Sequence, residues 1–201
     1  MKSLFDFIVE PLKSQYNNEI KVGDKSLVTN VDLDNFRSVS NMAKVISTPI
    51  AYKTNISKGD IVVIHHNVFR TFRDIRGKQK TSRSKFTENL YFVAMDQVYM
   101  YKNKEKWNTI NNRCFVKPLV SNNDLTLDKE RELIGILKYG NSSLEALKIT
   151  PGDVVGYTPD GEYEFFINEE RLYCMKSNDI VIKYEHQGDE VEYNPSWAKS
   201  S

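Results

Sequence analysis

The octapeptide Ile56–Val63, Ile-Ser-Lys-Gly-Asp-Ile-Val-Val, decides the fold because the chain contains a second version of it at Ile149–Gly156, Ile-Thr-Pro-Gly-Asp-Val-Val-Gly. Each version joins an apolar anchor to a tight Gly-Asp turn and then to a β-branched run that is typical of a strand. The dipeptides Lys58-Gly59 and Pro151-Gly152 are typical of turns, since proline presets φ and glycine accepts a positive φ without steric cost. The pattern predicts two strands that begin in the same way.

Other landmarks recur around both copies in the same order, which is the mark of an internal repeat. The matching pairs are Val9-Glu10-Pro11-Leu12 with Val116-Lys117-Pro118-Leu119, Ala43–Ile46 with Ile134–Leu137, Leu90-Tyr91 with Leu172-Tyr173, and Asp96–Met100 with Asn178–Ile182. Five ordered matches are unusual for unrelated segments. We therefore interpret the chain as two tandem copies of one β domain.

The spacing between matching landmarks locates two insertions in the first copy. Pro11 and Pro118 are 107 positions apart, the two turn glycines 93, and Leu90 and Leu172 82, so the spacing falls first by 14 and then by 11. Insertions in a packed β domain go to surface loops, because a buried loop leaves backbone polar groups without partners. Residues 13–42 and 70–87 are therefore the places where function is expected.

The first insertion, residues 13–42, has the polar composition of a long loop, with a small apolar island at Gly23-Asp24-Lys25-Ser26-Leu27-Val28-Thr29. Two interpretations stay open from the residues alone. Leu27 and Val28 can fold back onto the domain or begin a short edge strand. Alternatively, Gly23, Ser26, Leu27, Val28 and Thr29 form a recognition motif that becomes ordered in a partner's groove.

The second insertion is basic. Asp74 is the only acid between residues 70 and 85, and Gly77 at the centre favours a hairpin tip. The basic residues are Arg70, Arg73, Arg76, Lys78, Lys80, Arg83 and Lys85. Such a cluster is most often a solvated hairpin, but it can also meet an acidic protein surface or, as the weaker alternative, nucleic-acid phosphates.

Composition excludes several function classes. The formal net charge of +1 gives no whole-molecule attraction to nucleic acid or anionic membrane. No apolar run approaches the roughly 20 residues of a membrane span, and the first residues lack the apolar core of a signal peptide. Cys114 and Cys174 lie in strand-like runs and are interpreted as buried thiols in a reducing cytoplasm.

No pattern of catalytic or metal-binding residues is recognisable. Phosphate-binding glycine loops, nucleophile elbows and spaced carboxylate pairs are missing from the sequence. His65 and His66 are adjacent, and neighbouring residues of a strand face opposite sides, so they are not expected to share an ion. His66 is expected at the surface, and His65 is expected to be hydrogen-bonded. Asp60 and Asp153 are expected to hydrogen-bond the backbone of their own turns. The expectation is a protein that is not an enzyme and has no cofactor or metal.

The order of these motifs resembles the small co-chaperonin family (GroES-like, chaperonin-10), including phage-encoded members. The similarity is clearest in Ile134–Leu137, Ile149–Val155 and Met175–Val181, which resemble the Gly-Glu-Val strand, the Gly-Asp core strand and the closing Ser-Asp-Ile strand of that family. It covers both halves of the chain, and is better in residues 114–186 than in 4–101.

The resemblance implies an all-β protein with two tandem GroES-like antiparallel β-barrel domains, at 1–103 and 114–186, joined by a linker at 104–113 and followed by a tail at 187–201. It implies a homo-oligomer, a heptamer in that family, that caps a large GroEL-like chaperonin in the cytoplasm of a bacterium or a phage-infected host cell. The docking loop of the family matches Gly23–Asn30 here. The hairpin that roofs the family's ring has no match in either copy. The alternative is a phage or cellular structural or assembly protein that reuses the same barrel.

Overall fold

The computed structural model describes residues 2–12, 15–16, 19–22, 25–28, 39–120, 130–168 and 170–185, with only the backbone for 19–22, 25–28, 120, 130 and 131. The regular structure of the described residues is mostly strand, with one short α-helix, so the predicted all-β class is confirmed. It divides into two compact units, residues 1–108 and 109–201. The boundary falls inside the range 104–113 that the sequence analysis assigned to a linker, and part of that range forms a strand.

Ten of the strands in the described residues belong to the first unit, and the last of them ends one residue beyond its boundary. They are β1 (Phe7–Pro11), β2 (Glu19–Val22), β3 (Lys25–Val28), β4 (Met42–Ser47), β5 (Ile61–Ile64), β6 (Thr71–Arg73), β7 (Gln79–Thr81), β8 (Tyr91–Val93), β9 (Val98–Asn103) and β10 (Lys106–Thr109). Six of them form one sheet in the order β10-β9-β5-β4-β1-β8. The pairs β2-β3 and β6-β7 are separate two-stranded sheets.

The second unit contains six strands and the helix. They are β11 (Arg113–Val120), β12 (Glu130–Tyr139), α1 (Ser142–Ala146), β13 (Val154–Tyr157), β14 (Tyr163–Ile167), β15 (Glu170–Lys176) and β16 (Ile180–Lys183). The strands form one sheet in the order β14-β15-β11-β12-β13-β16. Asn141 caps the start of the helix, because its side chain accepts hydrogen bonds from the backbone N–H groups of Ser143 and Leu144.

The two sheets share a five-strand frame. In the first unit the frame reads β9-β5-β4-β1-β8, and in the second it reads β16-β13-β12-β11-β15, which is the same order along the chain. The first unit adds β10 outside β9, whereas the second adds β14 outside β15. Neither sheet closes on itself within the described residues. The duplication is therefore visible in strand order, while the closed barrels remain a prediction.

Strand register is also the same in the two frames. Val9 pairs with Val45 and Tyr91, and its counterpart Val116 pairs with Leu137 and Tyr173. Each sheet has a bulge just before this valine and a second bulge at the end of its Gly-Asp strand. Because a one-residue slip would move every side chain to the opposite face, matching register means that matching residues are buried.

The core of each unit follows from this register. Val9, Val45, Val62 and Ile56 are buried in the first unit. Their counterparts are buried in the second, where Val116, Leu137, Val155 and Ile149 form one cluster with the helix residue Leu144. Val62–Ile64 and Val154–Tyr157 are buried at every position, so both faces of these central strands are covered.

The Gly-Asp turn is built from the same hydrogen bonds in both units. Gly59 and Gly152 have φ values of 95° and 101°, and each donates its N–H to a core carbonyl, Val45 or Leu137, across 2.8 Å. The Asp60 carboxylate accepts from the N–H of Ser57 at 2.8 Å, and Asp153 accepts from Thr150 at the same distance. The prediction that these aspartates bond their own turns is confirmed.

Candidate partner-binding site

The first insertion leaves and re-enters the sheet at one place. The N–H of Leu12 donates to the carbonyl of Met42 at 3.0 Å, and the N–H of Ser40 donates to the carbonyl of Gln15, also at 3.0 Å. Tyr16 and Val39 form a further antiparallel bridge. The two ends of the insertion therefore lie side by side as a paired stem.

Beyond the stem, the backbone forms a short hairpin. β2 and β3 are antiparallel, with Ile20 opposite Leu27 and Lys21 opposite Ser26. Ser26, Leu27 and Val28 of the predicted motif thus lie in β3, whereas Gly23 and Thr29 lie outside the described residues. From the sequence this segment has loop composition, and a short edge strand at Leu27 and Val28 was one of the interpretations left open. A signal for the hairpin was present, since the alternating run Glu19–Val22 and the apolar pair Leu27-Val28 lie on either side of the dipeptide Gly23-Asp24.

We call the segment 17–38 between the stem residues the arm. The arm occurs in the first unit alone: residues 12–41 separate β1 from β4, while only residues 121–129 separate β11 from β12. The second copy's Leu125-Thr126-Leu127 lies outside the described residues. A two-stranded ribbon that pairs only with itself has marginal stability in water. Among the described residues β2 pairs only with β3, so the backbone of this ribbon is suited to adapt to a partner.

The second insertion is a basic hairpin built from β6 and β7. Thr71 pairs with Thr81 and Arg73 with Gln79, and the N–H of Ser82 extends the ladder to the carbonyl of Arg70. Gly77 lies in the turn with a φ of 74°. The counterpart in the second unit is the short turn 158–162, which carries Asp160 and Glu162 but no cation.

Asp74, the one acid of the hairpin, is used inside its turn. Its carboxylate accepts hydrogen bonds from the N–H groups of Arg76 and Lys78, each at 2.9 Å, and lies 3.3 Å from Nζ of Lys80. The bond from Lys78 holds the pKa of Asp74 below its usual value. Arg73, Arg76, Lys78 and Arg83 are exposed, so the outward face of the hairpin is positive.

The roots of the two insertions are joined directly. The side-chain amide of Gln15 donates to the carbonyl of Phe69 and to the hydroxyl of Thr71, the latter at 3.1 Å. The N–H of Thr71 donates to the hydroxyl of Tyr16 across 2.8 Å, and Thr71 is only 4% exposed. Sequence reasoning missed Gln15, Tyr16 and Thr71. The only signal was that Tyr16 is the single aromatic residue between positions 13 and 30.

The two histidines precede Phe69 and Thr71 in the chain, and they are arranged differently from the prediction. Their rings stack with centroids 4.5 Å apart, because the strand ends at Ile64 and a 3-10 helix begins at His66. The expectation of opposite faces, and of an exposed His66, is wrong. His65 accepts a hydrogen bond from the N–H of Asn67, as expected. Burial, with the charges of His65 and Arg70, lowers the pKa of His66 to about 4.

Metal and thiol chemistry receive no support from the described residues. In those ranges, no group of three or more His, Cys, Asp and Glu side chains is placed to hold a metal ion. Cys114 and Cys174 are free and buried, as predicted, and burial raises the pKa of the Cys114 thiol to about 12. Among the same residues, no helix is both long and apolar enough to cross a membrane.

Comparison of the sequence with protein-family models and with curated proteins found no match to either.

Proposed function

We propose that the protein is a GroES-like co-chaperonin whose first repeat docks on a large ATP-driven chaperonin through the arm. The observation that carries this proposal is the pair of frames with equal strand order and register, only one of which holds an arm between its first two strands. The repeated motifs, whose order resembles that of the co-chaperonin family, lie in corresponding strands of the two units, which supports the proposal. In this proposal the chain does no chemistry, and the partner hydrolyses ATP.

The energetics of such docking favour weak and reversible contacts. Burying a Leu or Val side chain in an apolar groove contributes about 1.5–3 kcal/mol. Ordering a hairpin on the partner costs part of that gain, so one arm binds weakly and releases easily. An oligomer restores affinity by presenting several arms to one chaperonin ring. We therefore propose a homo-oligomer, with seven chains as in the family that the sequence resembles.

Limited proteolysis tests the arm. Lys21 and Lys25 flank the turn of the β2-β3 hairpin and are tryptic sites. We expect cleavage there in the free protein and protection when a GroEL-type chaperonin and ATP are added. The double variant Leu27→Ser, Val28→Ser should abolish the protection. The matched control Leu125→Ser, Leu127→Ser in the second copy should keep it. Equal protection in both variants would show that the arm is not the docking element.

A second candidate is a structural or assembly protein that makes fixed contacts through the first unit. Leu4 and Phe5 are 58% and 69% exposed and border a surface pocket of about 310 Å³, together with the ring pair Phe86–Phe92. Adjacent exposed apolar side chains mark protein interaction sites. In this case Phe5→Ser should release the protein from purified particles, whereas Leu27→Ser should leave it attached.

A further inference from the structure

The basic hairpin and the stem of the arm meet at their roots. Both insertions occur in the first unit and neither in the second. Gln15 and Tyr16, which belong to the stem of the arm, hold Thr71 at the first residue of the hairpin. A partner that engages the arm therefore comes close to the root of the hairpin. Two independent insertions that share a root are most simply explained by a shared partner.

The hairpin is preorganised for an anionic surface. The hydrogen bonds of Asp74 fix its turn, and the ladder from Arg70 to Ser82 fixes its strands. Among the described residues, Asp74 is the one carboxylate beside the exposed guanidinium and ammonium groups of the hairpin, and it is already bonded within the turn. Like charges on a fixed hairpin repel one another, so this arrangement weakens the isolated domain and gains from opposite charge on a partner.

The hairpin also presents an apolar residue at its turn. Ile75 is fully exposed, between Asp74 and Arg76. A buried apolar contact surrounded by charged residues is the usual layout of a protein–protein interface, with an apolar centre and a polar rim. Phosphate backbones offer no pocket for an isoleucine, and Phe72, 37% exposed, is the only aromatic residue within the hairpin. The features favour a protein surface over nucleic acid.

We propose that the β6-β7 hairpin is a second docking element, which binds an acidic protein surface beside the apolar groove that the arm enters. This inference rests on the proposed function, because the groove belongs to the large chaperonin. The arm supplies the apolar contact and the hairpin supplies charge complementarity, which mainly raises the association rate and selects the partner. Binding through the hairpin is therefore sensitive to salt, whereas binding through the arm is not.

The test compares two triple variants of equal charge change. The variant Arg73→Glu, Arg76→Glu, Lys78→Glu reverses the charge of three side chains of the hairpin. Lys53→Glu, Lys104→Glu, Lys106→Glu reverses three other exposed lysines of the first unit and is the matched control. Affinity for a GroEL-type chaperonin with ATP is measured for both variants, for the wild type and for Leu27→Ser, Val28→Ser, at about 50 and about 300 mM NaCl.

We expect the hairpin variant to bind roughly tenfold more weakly than the wild type at low salt, and the control within about twofold, since each exposed charge pair is individually weak. At high salt the hairpin variant and the wild type should converge. Equal binding by the hairpin variant and the control, while the arm variant loses binding, overturns this inference but leaves the proposed function intact.

Two further outcomes separate the alternatives. If the wild type does not bind the chaperonin, or the arm variant binds as well as the wild type, the proposed function fails and the inference fails with it. If the hairpin variant keeps chaperonin binding but loses retention on single-stranded DNA that the control still shows, the hairpin is a nucleic-acid element and the inference is overturned. Circular dichroism of both triple variants checks that they are folded.

Discussion

The hydroxyl of Tyr16 accepts a hydrogen bond from the backbone N–H of Thr71 across 2.8 Å, and so connects two insertions that are 55 residues apart in the chain. Thr71 is nearly inaccessible to water, so water cannot easily replace this acceptor. Together with the amide of Gln15, the bond makes the stem of the arm and the root of the hairpin one structural unit.

Removing that acceptor should weaken the connection between the stem of the arm and the root of the hairpin. We expect Tyr16→Phe to lower the free energy of unfolding by about 1–3 kcal/mol, because it leaves a buried N–H without a partner. Urea denaturation measures the loss, and amide hydrogen exchange should show faster exchange in β6 and β7. Tyr52→Phe, at a 38% exposed tyrosine of the same unit, is the control and should change little. Equal losses in the two variants would mean that the bond does not hold this connection.

The aspartates of the two Gly-Asp turns should contribute differently to the free energy of unfolding. Lys183 Nζ lies 2.6 Å from the Asp153 carboxylate, whereas the residue matching Lys183 in the first unit is Tyr101. Burial raises the pKa of Asp153, but the hydrogen bonds from Lys183 and Thr150 outweigh it and leave the pKa below the usual value. We expect Asp153→Asn to destabilise the protein by about 0.5–1 kcal/mol at neutral pH, and Asp60→Asn by less.

The sign of the pH dependence follows from the lowered pKa. The charged form of Asp153 is favoured by folding, so its contribution is complete above the unfolded value of about 3.9 and is lost as the pH falls through the folded pKa. The gap between wild type and Asp153→Asn should therefore close below about pH 4. Urea denaturation between pH 7 and pH 3 tests this, and a gap that stays constant would exclude the ion pair as its source.

A methyl group should be tolerated differently at two glycines of the second unit. At Gly135 an added Cβ would lie 2.4 Å from Cγ1 of Val116 and 2.5 Å from the carbonyl oxygen of Lys117. At Gly152 nothing lies within 4 Å, and only the positive φ of 101° opposes a side chain. We expect Gly152→Ala to cost about 1 kcal/mol and Gly135→Ala about 2 kcal/mol or more, measured by thermal unfolding. The opposite order would contradict the close approach of β11 and β12.

The lowered pKa of His66 makes stability depend on pH in a defined window. Folding favours the neutral ring, so protons bind the unfolded chain first as the pH falls from about 6.5 toward about 4. The contribution of His66 to stability should decrease over that range and stay constant below it. NMR titration of the histidine signals, with His66 assigned from a His66→Gln variant, provides the direct measurement. A titration midpoint near 6.5 for His66 would show that its ring is hydrated.

Local chemistry made the frame predictable from sequence. The Gly-Asp turn requires a glycine at positive φ and an aspartate that accepts a hydrogen bond two or three residues back, and both requirements are written in adjacent positions. Because Gly59 and Gly152 each lie in the turn before a central strand, the repeated motif also predicted two units that are built alike. The burial of Cys114 and Cys174 followed from the same apolar runs.

Features that depend on distant residues were not predictable. Nothing near Gln15 or Tyr16 identifies Thr71 as a partner, because the contact is set by where two surface insertions return to the sheet. The histidine pair was misjudged because strand geometry was extended one residue too far, past Ile64. A short strand at Leu27 and Val28 was one of the two interpretations, but its pairing with β2 was not predicted, because the polar composition around Gly23-Asp24 is typical of a loop.

Equal register in the two frames makes the second copy an acceptor for transplanted segments. The connection at residues 121–129 and the turn at 158–162 occupy the places where the first copy carries its two insertions. The flanking strand pairs match in register as far as Pro11 and Pro118, so a graft that begins there continues from strands in the same register. Segment exchange should therefore give a chain that carries an arm in both copies, or one in which a foreign peptide replaces an arm.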